Sequence, residues 1–134
     1  MENTTVMVGF SIYGDEFNPQ IITEKLNIQP KKYWLKGDTI PGKPLIRNKT
    51  CWSVNTEYQE SLDINDQLSE IIDLIQGKSK EIIELMRIHN LEIIISIVIN
   101  IENNQKPAMY LNKQVIEFLH CINAEIDIDL YVYS

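Results

Sequence analysis

An α+β fold, with helices packed on one face of a mostly antiparallel sheet, is predicted for this chain by three observations. Val6, Val8, Phe10 and Ile12 alternate with Met7, Gly9, Ser11 and Tyr13, the period of two that gives a strand one apolar face. Between residues 64 and 89 the period changes to three and four, as amphipathic helices require. Two further strand patterns, Leu91–Ile101 and Ala124–Tyr133, flank a short helical stretch. Two strand–helix–strand units joined by a helical pair point to this α+β arrangement.

The elements follow in order. Gly14 and Asp15 end the first strand, and Asn18-Pro19 supplies a helix N-cap followed by proline at the first helical position, where its missing N–H costs nothing. Ile21, Ile22, Lys25 and Leu26 complete that helix, and Asn27-Ile28-Gln29-Pro30 stops it, because the residue before proline disfavours the helical region. Tyr33-Trp34-Leu35 is a short extended piece, followed by the turn-rich Gly37-Asp38 and Pro41-Gly42-Lys43-Pro44. Leu45–Tyr58 returns as strand, with Trp52, Val54, Thr56 and Tyr58 on one face. Asp63 or Asn65 caps a helix lined by Ile64, Leu68, Ile71, Ile72 and Ile75, and Gly77 is placed to end it.

A second helix, Ser79–His89, presents Ile82, Ile83, Leu85 and Met86 and stops at Asn90. In Leu91–Ile101 every odd position is apolar, and Ile94 and Val98 add apolar surface to the other face, so this strand is expected in the middle of the sheet. Asn103-Asn104 turns the chain, Lys106–Leu111 is placed to pair briefly, and Asn112 caps the helix Lys113–Ile122. The last strand sets Ile126, Ile128, Leu130 and Val132 against Glu125, Asp127, Asp129, Tyr131 and Tyr133. Val6–Trp34 and Leu91–Tyr133 share one plan of strand, Asn-started helix and strand, which suggests two pseudo-symmetric βα-type halves in a ferredoxin-like or related topology.

The 134 residues suit one domain, with 44% hydrophobic and 23% charged residues ordinary for a soluble globular protein. The N-terminus lacks a secretory leader, and the longest apolar run falls far short of the roughly 20 residues of a membrane-spanning helix, so a cytoplasmic location is the expectation. Cys51 and Cys121 then read as reduced thiols, with Cys121, beside Phe118 and Ile122, expected to be buried. The net charge of −7 conceals a basic stretch, in which Lys31, Lys32, Lys36, Lys43, Arg47 and Lys49 oppose only Asp38. Tyr33 and Trp34 could stack on bases there, but the acidic whole would repel phosphate, which argues against nucleic acid.

Chemistry is sparse. His120 adjoins Cys121, but neighbouring helix residues point about 100° apart and do not form a nucleophile–base pair. His89 stands at a helix C-terminus, where the dipole favours partial positive charge. No histidine or cysteine spacing fits a metal site, no glycine-rich loop cradles phosphate, and no cofactor is implied. Asp127 and Asp129 share one strand face about 7 Å apart, with Glu125 beyond, a spacing open to cation binding or acid–base hydrolysis and equally to a solvated edge.

The motifs Phe10-Ser11-Ile12-Tyr13-Gly14-Asp15, Leu26-Asn27-Ile28-Gln29-Pro30, Trp34 with Lys36-Gly37-Asp38, Trp52, and Ile126-Asp127-Ile128-Asp129-Leu130-Tyr131 together resemble the bacterial domain of unknown function 4279 family. The resemblance spans nearly the whole chain and implies fold and bacterial origin; it brings no catalytic residues. Small bacterial proteins of this kind are regarded as candidate immunity factors. The expectation is a non-enzymatic cytosolic binding protein that masks a basic toxin through Glu125, Asp127, Asp129, Tyr131 and Tyr133, with Lys31, Tyr33, Trp34 and Lys36 as a second set. The alternatives are a small-ligand-binding or hydrolytic protein using the carboxylate face or the surroundings of Gly37-Asp38, and a homo-oligomer formed through a sheet edge.

Overall fold

In a computed structural model, which describes residues 2–133, β1 (Thr5–Gly14) leads to α1 (Pro19–Leu26), β2 (Lys32–Trp34), β3 (Thr50–Asn55) and β4 (Gln59–Glu60). Then follow α2 (Ile64–Ile75), α3 (Ser79–His89), β5 (Glu92–Ile101), α4 (Lys113–Cys121) and β6 (Ala124–Val132). The sheet order is β2-β3-β1-β5-β6, with β4 continuing alongside β1. All pairs are antiparallel except β5 and β6. The β2-β3-β1-β5 part is the ferredoxin-like arrangement: a hairpin returns β3 between β1 and β2, and α2 and α3 carry the chain back to β5 on the far side of β1. To this core α4 and β6 add one parallel strand.

The two expected halves therefore share an element order but not a pairing. β1 and β2 run parallel with β3 between them, whereas β5 and β6 are adjacent. β1 occupies the middle of the sheet in place of β5, which comes next and is paired on both sides. The strand expected over Leu45–Tyr58 begins only at Thr50, because residues 39–46 fold into a small hairpin of their own. Its tip places Pro41 and then Gly42, at φ 75°, between Ile40 and Lys43, whose N–H donates to the Ile40 carbonyl at 3.1 Å; this is proline and glycine in their type II turn positions. Between Asn55 and Gln59 three residues oppose the two between Val6 and Gly9, so a bulge separates β3 from β4 and Tyr58 turns outward.

Each helix end has a local cause. Asn18, Asp63 and Asn112 each accept a backbone N–H at the start of α1, α2 and α4. Asn27 and Asn90 end α1 and α3 in the left-handed conformation that Asn tolerates better than most residues. Asn103 and Asn104, both at positive φ, form the turn after β5. Gly77 does not take the left-handed stop: it lies in a 3₁₀ turn, Gln76–Lys78, that joins α2 to α3. Residues 106–111 contribute one bridge, Ala108 to Asp63.

One face of the sheet carries the core. Val6, Val8, Phe10 and Ile12 of β1, Trp52 and Val54 of β3, and the odd residues 93 to 101 of β5 are buried against Ile22, Leu26, Leu68, Ile75, Ile82 and Leu119 of the helices. Trp52 packs edge-on to Phe10 at 6.4 Å between centroids, and its indole N–H donates to Thr23 Oγ1 at 2.9 Å, so the largest buried side chain leaves no polar group unpaired. The opposite face has no helix over it. Cys121 is exposed instead of buried: with Leu119 and Ile122 turned to the core, it lies about 200° from the first and 100° from the second around the helix.

Candidate functional site

The helix-free face is built from the alternate residues of each strand. Cross-strand register places Ser11 beside Ser53, Tyr13 beside Cys51, and Cys51 beside Trp34; on the other side, Ile94, Ser96, Val98 and Asn100 lie beside Glu125, Asp127, Asp129 and Tyr131. The two sets of candidate residues thus come to opposite edges of the sheet, four strand spacings or about 19 Å apart. The first set stays together: Glu125, Asp127, Asp129 and Tyr131 form one row on β6, and Tyr133 follows, its backbone N–H bonded to the Ile101 carbonyl. All five are exposed.

The second set is dispersed and already engaged. Lys31 pairs with Glu57 at 2.7 Å, a contact that lowers the pKa of the Glu57 carboxyl. Lys36 pairs with Asp15 at 2.7 Å, which raises its own pKa through the hydrogen bond and the charge of that carboxylate. Tyr33, paired with Trp52, projects to the helix side and is 62% exposed, beside a cleft of about 390 Å³ shared with α1. Trp34 is half-buried on the open face. Its indole N–H donates to the Lys49 carbonyl at 3.0 Å, and the Arg47 guanidinium lies 3.8 Å from the ring centroid. Asp38 serves the loop, its carboxylate accepting the Leu35 N–H at 2.8 Å while Gly37 takes φ 94°. A cleft of about 420 Å³ opens beside Asp38.

This arrangement resolves the charge asymmetry. Lys31, Lys36 and Lys49 each reach a carboxylate outside the basic stretch, the last at Glu92, 3.1 Å away. Arg47 is spread over Trp34. Among the described residues no cation lies within 4.0 Å of Glu125, Asp127 or Asp129. Lys32, on the same face at the β2 edge, and Arg47 meet the Trp34 ring and, among the described residues, no carboxylate, so the acidic row stands at the opposite edge from the cations of that face that have no acidic partner.

Burial shapes the thiol chemistry. Cys51, enclosed between Tyr13 and Trp34, has its pKa pushed up to about 11 by burial, opposed by a hydrogen bond from Tyr13 and the charges of Lys32 and Arg47. Tyr13 is itself raised, chiefly by burial. Neither is primed as a nucleophile. Among the described residues no three His, Cys, Asp or Glu side chains group to hold a metal ion, and no helix is long and apolar enough to cross a membrane.

Sequence reasoning missed Arg47 as the partner of Trp34, because the contact closes over a hairpin whose geometry only Pro41 and Gly42 announce. It also missed that the apolar row of the last strand is uncovered. Ile128 and Leu130 are each 50% exposed and Val132 67%, although they continue the buried row of Ile97, Ile99 and Ile101 in register. The signal available was β6's place as the last added strand beyond an already complete layer.

The sequence profile of a domain of unknown function, DUF4279, matches residues 3–133. The chain belongs to this family. The DUF4279 match takes in both edges of the sheet, the acidic row and the Trp34 cluster alike. No curated protein and no solved structure matches the chain.

Proposed function

We propose that this protein is a non-enzymatic binding protein that masks a basic partner, most concretely an immunity-type protein that neutralises a basic toxin in the bacterial cytoplasm. The observation that carries the reading is the row Glu125, Asp127 and Asp129, aligned on one face of an exposed strand without a cation to neutralise it, next to Tyr131 and Tyr133. A row of unpaired carboxylates attracts a cationic surface and speeds its capture, while tyrosines offer rigid contact area at low entropic cost. The basic stretch supports the same direction in part, since Lys31, Lys36 and Lys49 are held in internal ion pairs.

The hydrolytic alternative has less behind it. Asp127 and Asp129 stand on an open strand, and the clefts of about 310 to 450 Å³ along the molecule are lined by other residues. Loss of turnover in Asp127→Asn, for any substrate, would restore that alternative.

The test is kinetic. A basic protein retained from a bacterial lysate is purified, and its association with wild type and with the triple variant E125S/D127S/D129S is followed at low and high salt. The variant should keep its thermal midpoint and slow association by about tenfold at low salt, with the difference shrinking as salt screens the field. An equal on-rate at low salt removes the acidic row from the function.

A further inference from the structure

We propose that β6 takes on an added strand from the basic partner, an extended segment in which apolar residues alternate with lysine or arginine. This inference rests on the masking reading and specifies how the partner docks. β6 ends the sheet, paired with β5 on one side and with no strand on the other. Its nine residues present about 30 Å of unpaired backbone donors and acceptors. Exposed edges are commonly blunted by proline, a bulge, brevity or charge; β6 has only charge, of one sign and on one face, which repels like strands and admits a cationic one.

The two faces of β6 dictate the alternation. On the helix side Ile126, Ile128, Leu130 and Val132 are exposed, so apolar side chains of an added strand would continue the layer that Ile95 to Ile101 begin. On the open side Glu125, Asp127 and Asp129 call for cations at the intervening positions. Charge also argues against a second copy as the occupant. Antiparallel pairing of two β6 strands over their full length centres on Ile128 and sets Asp127 of one copy against Asp129 of the other, twice. A strand of opposite charge meets no such repulsion.

Three blocked nine-residue peptides serve as probes: valine and lysine in strict alternation, the same composition in two blocks, and the alternating peptide N-methylated on every second amide. Binding is measured by calorimetry at low salt, with amide exchange of β6 read by NMR. The alternating peptide should bind at least tenfold tighter than the block peptide, N-methylation along the docking edge should remove that gain, and β6 amides should become protected. Ile128→Ser should weaken the alternating peptide and leave the block peptide unchanged. Equal binding of alternating and block peptides, both weakened by E125S/D127S/D129S, overturns strand addition and leaves masking by charge intact. Binding untouched by the triple variant overturns both readings. A concentration-dependent dimer in light scattering, abolished by Ile128→Lys, would assign the edge to a second copy and overturn the proposal.

Discussion

At one end of the sheet β2 is three residues long, begins with Lys32 beside Tyr33 and Trp34, and is followed by the 35–49 loop, which folds back so that Arg47 covers the Trp34 ring. At the other end β6 runs for nine residues with both faces exposed and no loop or strand beside it. The first edge engages Trp34, Arg47, Lys31, Lys36 and Lys49 in internal contacts, while the second leaves its acidic residues without a cation and its apolar row exposed. Charge counted along the sequence would rank the basic stretch as the more polarised surface; ion pairing of Lys31, Lys36 and Lys49 in three dimensions narrows that difference.

The contrast can be broken in several ways, and the largest effect should be chemical. Cys51 lies at the covered end, and its thiol, with a pKa of about 11 against an ordinary 9.0, holds about one hundredth of the usual thiolate at neutral pH. Cys121 is exposed. With a thiol-reactive disulfide reagent, one equivalent should react quickly and the second at least about a hundredfold more slowly until the protein unfolds. Two fast thiols would show that the covered end opens readily.

Next in size, Trp34→Ala should destabilise the fold by about 2 kcal/mol, roughly thirtyfold in the unfolding constant, through loss of the half-buried ring and its contacts with Arg47 and Lys49. Ile128→Ser on β6 should cost only about 1 kcal/mol, because that side chain is already half in water. Urea unfolding of both variants checks the pair, and a larger loss at Ile128 than at Trp34 would invert the comparison. Asp38→Ala, which removes the acceptor for the Leu35 N–H, should cost about 1 kcal/mol.

A pH dependence tests the covered end separately. Cys51 and Tyr13 are both raised in the folded state by burial, so the unfolded groups ionise first. Stability is fully present below pH about 9 and falls as pH rises towards about 11, since the native state then binds more protons than the unfolded one. Cys51→Ala should flatten that fall in stability measured between pH 8 and 11; an unchanged slope would assign it to other groups.

Local signals carried much of the fold. Period-two and period-three-to-four patterns located β1, α2, α3, β5 and β6, and Asn18, Asp63 and Asn112 cap the helices that follow them. What failed was mostly non-local. Nothing in Leu91–Ile101 alone distinguishes a strand next to the centre from the centre itself, because β1 and β5 are both paired on two sides. Cys121 was misplaced because its neighbours in sequence point elsewhere around the helix. The acidic row was visible as alternation, yet its lack of cations depended on where Lys31, Lys36 and Lys49 found partners, at Glu57, Asp15 and Glu92. The exposed apolar row depended on how far the helix layer extends beyond β5, which no spacing within β6 encodes.

The register of β1 against β5 has a consequence in time. Thr5 pairs with Asn100, and their side chains are hydrogen-bonded across a separation of 95 residues. The central ladder of the sheet therefore closes one of the longest loops the chain can form, while β1 waits for a partner made much later. Chains dominated by such distant pairings cross the folding barrier in milliseconds to seconds, where locally connected helical bundles need microseconds to milliseconds. The helices and the Thr39 to Ile46 hairpin close only short loops, so refolding should show helical signal before the Trp52 environment becomes native.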